Sequence, residues 1–213
     1  MIDYVQLDGS RDAWKGRFST AKPFPHLVVD QLFESEPVHE AASTFPGRAD
    51  MTERPGRPGV FELADRESLS PPLLKLSDEL MGERFKAWLS FVTGVDDLLT
   101  DPYGIWGALR QYGDGVEVNI HAPPGPHPTK PWDRRLTLIL HLGEGLREAN
   151  GGCFELWDAQ KKAPSVSIAP LFNRAIVFLA TPASFHSASR TRLALGQTRK
   201  IVQILYFSRR STV

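Results

Sequence analysis

Cysteine is almost absent: Cys153 is the only one in 213 residues. A lone thiol forms no intramolecular disulfide and builds no cysteine-based zinc site. A charge excess is absent too, because 25 Lys plus Arg balance 25 Asp plus Glu. A dedicated nucleic-acid binder would normally show a basic face. A small anionic ligand stays allowed, since one Arg in a pocket suffices. No apolar run approaches the ~20 residues of a membrane helix. Met1-Ile2-Asp3-Tyr4 carries acid early and shows no basic stretch leading into an apolar one, so no signal peptide is visible. These absences predict a cytoplasmic protein with neither nucleic-acid nor membrane partners. No internal repeat or low-complexity segment stands out. The length suits one domain with a sizeable core and hardly two.

What is present changes character near Tyr103. Before it, Pro25 to Phe33 reads as a short buried strand and Glu34 to Phe45 as a helix ended by Pro46-Gly47. Arg48 to Gly59 is rich in proline and glycine without periodicity, which predicts a loop and a candidate substrate lid. One long helix is expected from Ser70, a natural N-cap with Pro71 after it, to Gly94. Its Leu/Phe/Trp stripe should pack on a sheet.

After Tyr103 the segments are short, alternating and separated by turn residues. Val116–His121, Leu136–Leu142, Cys153–Trp157, Ser165–Ile168, Arg174–Leu179 and Ile201–Phe207 all read as strands. This spacing predicts a β-barrel or two-sheet jelly roll behind N-terminal helices, within one α+β domain.

Three residues there could share chemistry. His121 ends a strand, His186 follows an apolar strand much later, and Arg199 opens the last long one. Two neutral imidazoles suit iron, copper, nickel or zinc. An Arg deep in a barrel is a bidentate clamp for a carboxylate. The plainer alternatives are hydrogen-bonded strand-end histidines and a surface ion pair. His26 and His39 read as structural or solvated, Cys153 as a small buried hydrophobe, and Gly151-Gly152 as a tight turn.

The order of several segments resembles the prolyl-hydroxylase-like branch of the 2-oxoglutarate/Fe(II) oxygenases. Phe24-Pro25-His26-Leu27-Val28-Val29-Asp30 is similar to a frequent opening of that branch, and Phe91-Val92-Thr93-Gly94-Val95 and Asp101-Pro102 add to it. Tyr112, Gly115, Val118 and His121 keep the spacing of its approach to the metal. Arg135 to Leu142 resembles its R-x-x-T strand, Asn150-Gly151-Gly152 its glycine pair, and Ile168 to Phe178 its I-x-P-x-x-N/D-R-x-x-x-F run. His186 stands where the distal histidine belongs, and Thr198-Arg199 leads the final strand. The resemblance implies a double-stranded β-helix (jelly-roll or cupin-like) core over 103–213, with N-terminal helical support over 1–102, as a single oxygenase-like domain. It implies Fe(II) and 2-oxoglutarate as cofactors and a hydroxylating dioxygenase. His121 and His186 would be metal ligands. Arg199 would bind the cosubstrate, aided by Tyr112 and His141. The partner would be a small-molecule or peptide substrate.

One ligand is missing. The family's carboxylate, two residues after the first histidine, is here Pro123. Several explanations stay open. His127 could swing in behind the stiff Pro-Pro-Gly-Pro segment. Asp133 or Glu117 could substitute. Water or a halide could take the corner, as in halogenating relatives. The chain could also be a degenerate member without productive iron. Outside the family, a non-catalytic cupin-like binding module and a two-histidine zinc hydrolase compete, the latter without an H-E-x-x-H helix.

Overall fold

The computed structural model describes residues 1–123 and 125–210. Period-two alternation becomes strands, and their faces divide the labour. In β11 (Arg199–Arg209), Val202, Ile204 and Tyr206 point to the helix side and join the core there. Arg199, Ile201, Gln203 and Leu205 point the other way, into a cavity. β6 (Trp132–His141) runs antiparallel beside it, pairing Ile139 with Gln203 and Thr137 with Leu205. Each strand therefore supplies one face to each layer.

Among the described residues the strands form two sheets. The larger has the order β1-β9-β6-β11-β4-β3-β2, with β1 at His26–Val29, β2 at Thr52–Glu53, β3 at Val60–Leu63, β4 at Gly107–Tyr112 and β9 at Ala175–Leu179. The smaller has the order β5-β10-β7-β8, with β5 at Val118–His121, β7 at Phe154–Trp157, β8 at Pro164–Ile168 and β10 at His186–Ala188. Between them sits an apolar layer that includes Phe24, Ile139, Phe154, Phe178 and Ile201. This is the two-sheet jelly roll of a double-stranded β-helix.

Helices cover the outer face of the larger sheet. They are α1 (Tyr4–Gly9), α2 (Arg11–Thr20), α3 (Ser35–Ser43), α4 (Pro71–Met81) and α5 (Glu83–Thr93). The long helix expected from Ser70 to Gly94 is thus two helices. Gly82 between them is extended, with φ −69° and ψ 156°. The stripe itself is core as expected, with Leu73, Leu80, Phe85, Trp88 and Leu89 all buried. Gly94 does end α5, in the left-handed conformation at φ 69°. The N-terminal part is more than helical support. It contributes β1, β2 and β3 to the larger sheet; β2 comes from the stretch expected to be loop, and β3 begins directly after it.

Two family-like segments turn out to clamp each other. Asn173 sits at φ 59°. Its Oδ1 accepts from the Phe33 amide at 3.0 Å and its Nδ2 donates to the Phe33 carbonyl at 2.7 Å. Next to it, Arg174 pairs with Asp30 at the end of β1. Replacing Asn173 by alanine removes both bonds and leaves a Cβ-bearing residue at positive φ without its local support. We expect a loss of about 2–4 kcal/mol, read as a lower urea midpoint. An unchanged midpoint would show that the clamp is idle.

Candidate active site

The smaller sheet brings the two histidines together by register. His186 of β10 lies directly opposite His121 of β5, and their ring centroids are 4.2 Å apart. Each ring is held by a backbone carbonyl two residues earlier. Nδ1 of His121 donates to the Asn119 carbonyl at 2.8 Å, and Nδ1 of His186 to the Ser184 carbonyl at 2.9 Å. We assign the proton to Nδ1 because a carbonyl can only accept. That tautomer leaves the Nε2 lone pair of each ring for a metal, as is usual for ligating imidazoles. Burial keeps both rings neutral. It lowers the pKa of His121, with Arg57 and Arg110 adding repulsion. It lowers that of His186 to about 4, with repulsion from His121 and Arg134.

Both rings line a cavity of about 380 Å³ between the sheets. Phe154 and Phe178 pack against His186, at 5.3 Å and 4.8 Å between centroids. Deeper in the same cavity lies Arg199, only 2% exposed. Its guanidinium carbon stands 4.6 Å over the ring of Tyr112, its partner across β4 and β11. Among the described residues its Nε has no hydrogen-bond partner. Burial lowers its pKa, and no carboxylate is among the charges acting on it. A buried, unpaired cation is costly unless a ligand supplies the anion. Gly152 makes room for it: at φ 64°, an added Cβ would sit 2.7 Å from Cδ of Arg199. The glycine pair read as a plain tight turn therefore also shapes the Arg199 pocket.

The remaining sequence candidates divide. His141 is fully buried beside Arg199, which helps push its pKa far down after burial itself. Among the described residues neither of its ring nitrogens has a partner, and His141 does not itself line the cavity. His127 is a correction. Its Nε2 bonds Asp101 at 2.9 Å, and its Nδ1 accepts from the amides of Thr129 and Lys130 at 3.2 Å and 3.1 Å. With both nitrogens engaged and its ring against Trp132 and Phe207, it is a structural histidine outside the cavity. The two substitute carboxylates are also elsewhere: Asp133 pairs with Arg210 and Glu117 with Arg190, all at the surface. Pro123 does line the cavity. Among the described residues, no three His, Cys, Asp or Glu side chains cluster to hold a metal. The donor set fits a transition ion at two corners, and the third has no protein ligand among them.

Several lining residues escaped the sequence reading. Glu62 of β3 lies across from Arg110 of β4 and pairs with it at 2.5 Å. The same carboxylate also reaches Arg54 at 3.4 Å. Arg134 enters the cavity because of a β-bulge. The register of β6 and β11 slips between Tyr206 and Phe207, so Phe207 faces Arg134 where even pairing would have placed Arg135. Bulges re-aim side chains in this way. Arg135 instead points outward and bonds Ser208.

Comparison with known proteins agrees with this geometry. Residues 107–208 match the model of the 2OG-Fe(II) oxygenase superfamily. Prolyl 3-hydroxylase OGFOD1 of Mus musculus is 27% identical over 177 residues, which is 78% of this chain and 30% of that protein. The chain thus spans about a third of that relative's length. A Pseudomonas putida prolyl-4-hydroxylase superposes with TM-score 0.63 at 13% identity, covering 94% of this chain and 100% of the other. Streptomyces hygroscopicus HygX, with nickel, 2-oxoglutarate and hygromycin B bound, superposes with TM-score 0.57 at 13% identity, covering 86% and 82%. No described helix is long and apolar enough to cross a membrane. Over residues 107–208 the chain is thus similar to the 2-oxoglutarate/Fe(II) oxygenase superfamily, and its curated relatives there are prolyl hydroxylases.

Proposed function

We propose that this protein is an Fe(II)- and 2-oxoglutarate-dependent dioxygenase that hydroxylates a small molecule or a side chain. The observation that carries the reading is Arg199. It is a buried guanidinium without a carboxylate, at the base of the cavity that two Nδ1-anchored imidazoles also line.

His121 and His186 would hold the iron through Nε2. When bound, the iron would couple oxidation of 2-oxoglutarate to succinate and CO2 with insertion of one oxygen atom of O2 into a substrate C–H bond. The chain's own residues do the rest. The two carbonyl bonds fix the imidazole tautomers and ring planes. Arg199 would take the distal carboxylate of 2-oxoglutarate in a charge-assisted, two-point contact. Tyr112 backs the guanidinium, and Gly152 leaves room beside it. Ile139, Phe154, Phe178 and Ile201 keep the surroundings apolar, which strengthens each charged contact inside.

The test is anaerobic titration of the protein with 2-oxoglutarate, then Fe(II)-dependent succinate release in air. Replacing Arg199 by alanine should weaken 2-oxoglutarate by the ~1.5–3 kcal/mol typical of a charged hydrogen bond, about 10- to 150-fold. Unchanged cosubstrate affinity in that variant would reject the role of Arg199. Binding without succinate release would favour the second reading, a binding module on the same fold. The missing ligand at Pro123 is the observation that keeps this second reading in play.

A further inference from the structure

The cavity carries far more positive charge than a cosubstrate needs. Among the described residues Arg54, Arg57, Arg110, Arg134 and Arg199 line it, against the single carboxylate of Glu62. Glu62 is shared, since Arg110 and Arg54 both pair with it. Arg199 is accounted for by 2-oxoglutarate in the reading above. Iron and 2-oxoglutarate together bring no net charge, so they leave this excess in place. The family's missing carboxylate deepens it.

Arg134 is the clearest surplus. The bulge in β6 turns it onto the cavity face. Among the described residues its Nε has no hydrogen-bond partner, and the one charge acting on it is another cation, Arg110. Those two effects, burial first, lower its pKa to about 10, so it remains charged near neutrality. Two more guanidiniums come from the segment joining β2 to β3: Arg54, half satisfied by Glu62, and Arg57, exposed and in no ion pair among the described residues. Strand and connecting segment thus offer cations to one volume from two sides.

We propose that the substrate is a small acid whose oxyanion, a carboxylate or a phosphate, is held by Arg134 with help from Arg54 and Arg57. This deepens the oxygenase reading and rests on it for the assignment of Arg199. A cavity of about 380 Å³ is shared with the cosubstrate, which favours a compact ligand near the lower end of ordinary small-molecule sites. Guanidinium geometry suits planar or tetrahedral oxyanions in two-point contact.

The test uses the full chain without metal and three probes: methyl phosphate, propionate and the uncharged propionamide. Binding is read by ligand-observed NMR titration. At least one anion should bind about tenfold or more tightly than propionamide, and the tighter of the two names the group. Arg134→Gln should weaken that anion about tenfold or more, as for loss of one charged hydrogen bond. The same loss should appear with saturating 2-oxoglutarate present, which occupies Arg199 and leaves Arg134 to the probe. Equal binding of propionamide overturns the proposal. So does unchanged affinity in Arg134→Gln, or anion binding that saturating 2-oxoglutarate abolishes. Failure of the oxygenase reading shows elsewhere, as absent 2-oxoglutarate binding and absent succinate, so the two outcomes stay distinct.

Discussion

Alanine at position 186 is expected to abolish Fe(II)-dependent succinate release while the protein stays folded. The argument has two parts. The metal would lose one of its two imidazoles, and no carboxylate among the described residues stands ready to replace it. Outer-shell partners alone change metal affinity 10–100-fold, so loss of a ligand should exceed about a hundredfold. The fold, by contrast, loses little. The side chain borders the cavity, and β10 keeps its backbone pairing to β5 and β7. The side-chain bond to the Ser184 carbonyl is worth about 1 kcal/mol. For a chain of this size that is about 2–4 °C in Tm. Circular dichroism and a melting curve check the second part, and succinate assay the first. Turnover surviving in a folded variant would remove His186 from the metal site.

His186 also shows what could be read from sequence. Its strand is three residues long, and nothing in its flanks Phe185 and Ser187 distinguishes a ligand from a loop residue. The resemblance in segment order paired it with His121, and the register of β10 on β5 realises that pairing. Short alternating segments made the two-sheet core legible, because period-two burial is a local property. Arg134 was not legible for the opposite reason. Strict alternation back from Ile139 selects Arg135, and only a bulge opposite Phe207 moves the cavity face to Arg134. Glu62 was hidden because β3 is short and follows a Pro/Gly-rich stretch, where propensity argues for loop. The helix boundary failed at Gly82, although the step from Leu80 to Phe85 already departs from a three- or four-residue spacing. His127 looked free because its partner, Asp101, is distant in sequence. A histidine's second-row partners decide its role, and sequence does not show them.

Aspartate in place of Pro123 is the complementary prediction, a gain. Pro123 lies two residues past His121, at the end of β5, and already lines the cavity. Extended backbone returns a side chain to the same face every two residues. A carboxylate introduced there would therefore share the face of the His121 imidazole. Pro123→Asp is expected to tighten Fe(II) by more than about a hundredfold, on the same scale that ranks ligands above outer-shell groups. Electrostatics favours it as well, since five guanidiniums in this cavity face one carboxylate. Chloride separates the explanations for the natural proline. If a small anion or water completes the wild-type site, added chloride should shift wild-type metal affinity, and the variant should ignore it. Unchanged affinity in Pro123→Asp would mean that the backbone after β5 does not carry this position to the imidazoles.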